Sequence, residues 1–240
     1  MKYLMYHRPF GLSAKRLAAS LGISTTRTGR GQVVVAWGAP NAPETALNGG
    51  IRVGKLHQLQ TWKSADLSTL EYSSSPRTGW LPRSGNSFGG RDFLTNPPNP
   101  PAYWTKPVTN VIAEWRVHLV RKSSSRGCLP QNYKVIRLGR KVNSDPSLNV
   151  ERNGVQIRSR QFGWHLQYFG SSMSRTLTSL GDLSLQCRWA IATLGWDFGA
   201  IDVLQTDQGF VLLEANSAPS LRDDNTLKAY ADAIKEIIGD

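Results

Sequence analysis

Cysteine is nearly absent: the 240-residue chain has two, Cys128 and Cys187. That excludes a disulfide framework and a cysteine-rich zinc site. The four histidines, His7, His57, His118 and His165, show no metal-ligand spacing. No apolar run approaches the roughly 20 residues that span a bilayer, so no membrane partner is expected. The opening MKYLMYHRPF lacks an apolar stretch followed by a small-residue cleavage site, so no signal peptide is expected. Together these absences point to a soluble protein of a reducing compartment, the cytoplasm.

Acidic residues are also scarce, and unevenly so. Lys and Arg outnumber Asp and Glu 29 to 17, a net charge of +12. Residues 1–100 carry 12 basic against 4 acidic groups, residues 101–190 carry 14 against 4, and residues 191–240 carry 3 against 9. A basic body favours polyanionic partners: nucleotide phosphates, nucleic acid or an acidic substrate. The plainer alternative is a solubility surface. An acidic end on such a chain suits a divalent cation. With 40% hydrophobic and 19% charged residues the composition is globular rather than disordered.

The pattern along the chain is mixed, an α+β reading. KYLMY reads as a strand. SAKRLAASLGI reads as a helix with Ser13 as N-cap and Gly22 at its end, and QVVVAW as a buried strand, so residues 1–52 form a short βαβ region. A helix is expected from Val53 to Trp62. The Gly/Ser loop RSGNSFGGRDF and the extended NPPNPPAYW follow, where proline excludes helix. EWRVHLV alternates, with Trp115, Val117 and Leu119 on one face and Glu114, Arg116 and His118 on the other. The β-rich stretch continues through YKVIRLG, while residues 139–160 show no assignable period. Residues 175–194 read as a helix, GAIDVL and FVLLEA as a hairpin across TDQG, and the last helix opens at Asn225.

That hairpin carries the chemistry. Glu214 and Asn216 are two apart and share a face. Asp202, in the partner strand, joins them if the register allows. Two carboxylates and an amide oxygen are hard donors of the kind Mg²⁺ takes. Glu214 lies within the apolar VLLEA, where an unpaired carboxylate is costly and calls for a cation. The alternative is that Asp202 and Glu214 are exposed or salt-bridged hairpin residues.

AIDVL followed by LLEANSAPSL resembles the metal-binding hairpin of the ATP-grasp ligases, nearest to the small phage- and bacteria-type members. The resemblance implies that Asp202, Glu214 and Asn216 hold two Mg²⁺ ions, with Mn²⁺ as a substitute, against the phosphates of ATP. It extends upstream. Lys55, in IRVGKLHQLQ, matches a helix-opening lysine that contacts phosphate. WLPRSGNSFGGRDF is similar to the glycine loop over the triphosphate, with Arg83 where many relatives have lysine, and with Ser87, Gly89 and Gly90 in the loop itself. AYWTKPVTNVIAEWRVHLV is similar to the hinge and the strand after it, placing Lys106 and Glu114 at the nucleotide, with Glu114 on the ribose hydroxyls. Lys134, in NYKV, aligns with a lysine that reaches phosphate. Some relatives carry arginine two residues before the metal-binding aspartate. Here that position is Ala200, which leaves Arg116, Arg83 and Arg158 as the catalytic cations.

The resemblance implies an ATP-grasp fold, two β-rich subdomains clasping ATP. The reduced N-terminal region would span 1–52, the ATP-binding subdomain 53–112 and the metal-bearing subdomain 113–240. It implies a ligase that joins a carboxylate (an amino acid, peptide or protein) to an amine through an acyl phosphate, releasing ADP and phosphate. A phosphotransferase on the same fold and a nucleic-acid-associated ATP-binding protein are the alternatives. A homo-oligomer is compatible with the pattern, and if the chain is phage-encoded the compartment is the host cytoplasm.

Overall fold

The computed structural model describes residues 1–7, 10–29, 31–52, 54–84, 100–122, 127–152, 155–170 and 173–239. Strand β1 (Lys2–Tyr6) lies between β2 (Ser24–Thr26) and β3 (Gln32–Trp37), all parallel, with helix α1 (Gly11–Leu21) as the crossover. Ala14, Leu17, Ala18 and Leu21 give α1 one buried face, and Gly22 ends it in the left-handed conformation. Ser13 is not its N-cap. The helix begins two residues earlier, and the Ser13 hydroxyl instead accepts the Leu221 N–H at 3.1 Å.

Helix α2 (Lys55–Ser64) precedes a three-stranded sheet ordered β4 (Tyr72–Ser73), β6 (Tyr103–Thr105), β5 (Leu81–Arg83). The larger sheet has five antiparallel strands in the order β11 (Trp164–Tyr168), β8 (Tyr133–Asn143), β7 (Val111–Arg121), β12 (Phe198–Thr206), β13 (Gly209–Asn216). β8 runs on through Asn143, into the stretch without a sequence period, because pairing with both β7 and β11 satisfies its backbone. A two-stranded hairpin, β9 (Glu151–Arg152) and β10 (Val155–Gln156), follows it.

Residues 173–193 are two helices, α3 (Met173–Ser179) and α4 (Gly181–Thr193), not one. Leu180 leaves the helical basin at φ −115°, ψ 42°, just before Gly181. The final helix, α5 (Asp224–Ile238), is capped by Asp223, whose carboxylate accepts the Thr226 N–H at 2.7 Å; Asn225 lies inside it. Among the described residues no helix is long and apolar enough to cross a membrane.

Alternation on β7 sets the two sides of the large sheet. Trp115, Val117 and Leu119 point into a core shared with Leu59 and Trp62 of α2 and with Cys187 and Ile191 of α4. A second core joins the N-terminal unit to α5 through Leu4, Trp37, Phe198 and Tyr230. Asn48, buried at φ 57°, fastens the two. Its amide bonds the Asp197 N–H at 2.7 Å and the Phe198 carbonyl at 2.8 Å.

Candidate active site

The other face of the large sheet looks across a cleft of about 1720 Å³ toward the three-stranded sheet, which supplies Leu81, Arg83 and Tyr103. Register builds the site. Asp202 pairs across β12–β7 with Arg116 and across β12–β13 with Glu214. Glu214 meets Asp202 because the pairing slips there: Val203 is already opposite Leu212, so Leu213 is an extra residue in β13. Such a bulge re-aims the next side chain. Asn216 follows on the same face, with Nδ2 3.4 Å from Asp202 and 3.5 Å from Glu214.

Every carboxylate in this group faces a cation. Arg116 binds Asp202 through two hydrogen bonds of 2.6 Å each, Nε to Oδ1 and Nη2 to Oδ2. Lys55 Nζ lies 2.6 Å from Glu214. Lys141, on β8 one residue beyond the Trp115–Arg140 pair, forms an ion pair with Glu114 on β7. Burial alone would raise the Asp202 carboxyl, but the charge and hydrogen bonds of Arg116 outweigh it and hold it below the usual range. Burial likewise opposes charge on Arg116, and Asp202 reverses that, keeping the guanidinium protonated. Glu114 goes the other way: burial pushes its carboxyl up, and the Lys141 charge only partly offsets this.

The donor set fits Mg²⁺ in one particular sense. Among the described residues no group of three or more His, Cys, Asp or Glu could hold a metal, so there is no all-protein cage. Two carboxylates and an amide are instead the partial set that Mg²⁺ completes with phosphate oxygens and water. A flip of the Asn216 amide presents its oxygen to the same point.

Of the residues singled out from sequence, Lys55, Arg83, Lys106, Glu114, Arg116, Arg158, Asp202, Glu214 and Asn216 all line the cleft. They are not all equally engaged. Lys106 is half exposed and paired with Glu71, and Arg83 donates to Thr105 at 2.9 Å. Arg158 stacks over Trp164 near Glu114; burial lowers its guanidinium, with Glu114 opposing. Ser87, Gly89 and Gly90 lie outside the described residues. Lys134 is a correction. It sits at the far end of β8, paired with Glu236 of α5, and does not line the cleft. The strand offers Lys141 instead. Sequence reasoning misses it because the β-rich pattern fades at Gly139. Extending the alternation from Arg137 by two steps would have found it.

Tyr168 was missed as well. Its ring lies over Gly139, where a Cβ would come within 2.9 Å of it, so only glycine admits the ring. Behind it, buried His118 has a fixed tautomer. The Tyr230 hydroxyl donates to the Gly199 carbonyl at 2.9 Å, so its oxygen accepts from His118 Nδ1 at 3.1 Å. That leaves Nε2 to accept from Tyr168 at 3.4 Å.

Burial, then the Arg116 charge, lowers the His118 imidazole from 6.5 to about 3. The unfolded chain therefore binds a proton near pH 6.5 that the folded chain refuses. This contribution is fully present above pH 6.5 and is lost as pH falls toward 3. Denaturant melts should show stability falling below pH 6.5, with a slope from this group approaching about 1.4 kcal/mol per pH unit. His118→Gln should flatten that slope. An unchanged slope in the variant would show that His118 is not buried in neutral form.

No protein-family model and no curated protein matches the sequence. Solved structures do match, over nearly the whole chain. The ATP-grasp ligase PsnB complexed with minimal precursor superposes with a TM-score of 0.60 at 12% identity, covering 98% of each chain. The macrocyclase MdnC bound with precursor peptide MdnA, from Microcystis aeruginosa MRC, gives 0.55 at 13% identity over 98% of this chain and 99% of its own. N5-carboxyaminoimidazole ribonucleotide synthetase from Thermotoga maritima gives 0.58 at 10% identity, covering 99% of this chain and 75% of the synthetase. At such identities the likeness establishes architecture: with its cleft between a small and a large antiparallel sheet, the chain has the ATP-grasp fold.

Proposed function

We propose that this protein is an Mg²⁺-dependent, ATP-consuming carboxylate–amine ligase. The observation that carries the reading is the convergence of Asp202, Glu214 and Asn216 with Lys55 and Arg116 on one sheet face, in a cleft walled by both sheets. In this reading residues 53–112 form the nucleotide-binding part, residues 113–240 the metal-bearing part, and residues 1–52 a reduced N-terminal region.

Glu114, with Lys141 beside it, accepts hydrogen bonds from the ribose hydroxyls. Lys55 and Arg83 meet the phosphates from the helix and small-sheet sides. The γ-phosphoryl group passes to a substrate carboxylate. The amine attacks the resulting acyl phosphate, phosphate leaves, and an amide remains. Asp202, Glu214 and Asn216 would hold Mg²⁺, which when bound would supply positive charge to neutralise the phosphate oxygens. Arg116, anchored by Asp202, directs its positive field at the group in transfer. The carboxylate partner is proposed to be a peptide. Support comes from the basic cleft wall and from the precursor peptides bound to PsnB and MdnC.

The test is ADP release with panels of carboxylate peptides and amines. Release that requires both partners, with an amide in the product, is expected. ATP-dependent phosphorylation of a hydroxyl without any need for amine would contradict ligation and favour a phosphotransferase.

A further inference from the structure

The geometry points to Gln58 as a positioning residue that fixes the metal-binding strand. Among the described residues β13 is the edge strand of the large sheet, and its outer side meets only an isolated bridge between Thr69 and Leu212. Gln58, on α2, supplies one point of contact in place of a strand. Its Nε2 donates to the Ala215 carbonyl at 3.0 Å and its Oε1 accepts the Ala215 N–H at 2.8 Å. Ala215 is the residue between Glu214 and Asn216. A two-point clamp on its peptide groups sets the direction of both neighbouring side chains.

The clamp is rigid at both ends. Gln58 is 1% exposed, so water does not compete for its amide. α2 is tied to α4 by the Trp62 Nε1 bond to the Ala190 carbonyl at 2.9 Å. Three residues before Gln58, on the same helix face, Lys55 holds Glu214. One short helix thus carries both the cation that meets Glu214 and the amide that aims it. Elsewhere along the edge, Ser68 and Thr69 bond Leu212, and Gln186 donates to the Phe210 carbonyl at 3.2 Å. Gln58 alone among these acts between the two ligands.

This inference rests on the reading of Glu214 and Asn216 as metal ligands. Partners that orient ligands change metal affinity by roughly 10- to 100-fold when removed. The experiment measures binding of a non-hydrolysable ATP analogue by calorimetry, with and without Mg²⁺, for wild type, Gln58→Met and Gln186→Met. Hydrogen exchange at the Ala215 amide is followed in parallel. Gln58→Met keeps length and removes both hydrogen bonds to Ala215. It should bind the analogue normally without Mg²⁺, lose at least about tenfold of the Mg²⁺-dependent gain, and exchange Ala215 faster. Gln186→Met, which loosens the same edge away from the ligands, should behave as wild type.

A Gln58→Met protein with the full Mg²⁺ gain overturns the clamp and leaves the ligase reading standing. A wild type that binds no nucleotide overturns both. If Gln58→Met fails to fold, Gln58→Glu, which keeps only the acceptor, carries the same comparison. A full Mg²⁺ gain there rejects the clamp, and a reduced gain supports it.

Discussion

Glutamine at position 214 is expected to slow ADP formation by roughly two to three decades, a loss of about 3–4 kcal/mol of transition-state stabilisation. The change keeps the shape of the side chain and removes one charge. Packing in β13 should hardly respond, because Glu214 is only partly buried and the Gln58 contacts are to the backbone of Ala215. What changes is the site: one hard anionic donor is lost, and Lys55 loses its partner. If the Lys55–Glu214 pair were merely structural, at roughly a quarter exposure for each side chain, its loss would cost about 1 kcal/mol or less of stability and leave turnover alone. Melting curves and ADP assays on Glu214→Gln separate the two. Wild-type turnover at limiting Mg²⁺ would remove Glu214 from the site.

The second large effect is expected at Arg116. Among the described residues its guanidinium is the one ion-pair partner of the Asp202 carboxylate, whose side chain is 5% exposed. Arg116→Met should destabilise the metal-free protein by about 3–5 kcal/mol, because a buried charge loses its ion-pair partner. Replacing both partners, Arg116→Met with Asp202→Leu, should restore most of that loss, since two apolar groups need no compensation. Mg²⁺ should stabilise the Arg116→Met protein more than wild type by binding the exposed demand of Asp202. A loss below about 1 kcal/mol in the single variant would mean that the pair behaves like a surface contact.

The site was legible in sequence where side chains alternate along a strand. Glu114, Arg116 and the Glu214–Asn216 pair could be placed on faces from period alone, and Asp202 needed only a register. The Leu213 bulge that sets this register has no local signature in VLLEA. It follows from pairing with β12 on one side and contacts from α2 on the other. Lys141, two alternation steps beyond Arg137, and Tyr168 were harder to read for a related reason. Their strands lack apolar alternation and exist because neighbours complete their hydrogen bonds. Gln58 was hidden in a helix whose other buried residues, Leu59 and Trp62, announce only core. The helix limits erred where two caps competed. Asp223 and Asn225 are both good N-cap types, and Asp223 is selected because its carboxylate also meets Arg137 at 3.2 Å.

Calorimetric titration of the intact chain with a non-hydrolysable ATP analogue, with and without Mg²⁺, addresses the nucleotide site most directly. Saturable binding that tightens with Mg²⁺, and loses that gain in Glu214→Gln, is the expected result. No binding under either condition would contradict the assignment of the cleft to ATP.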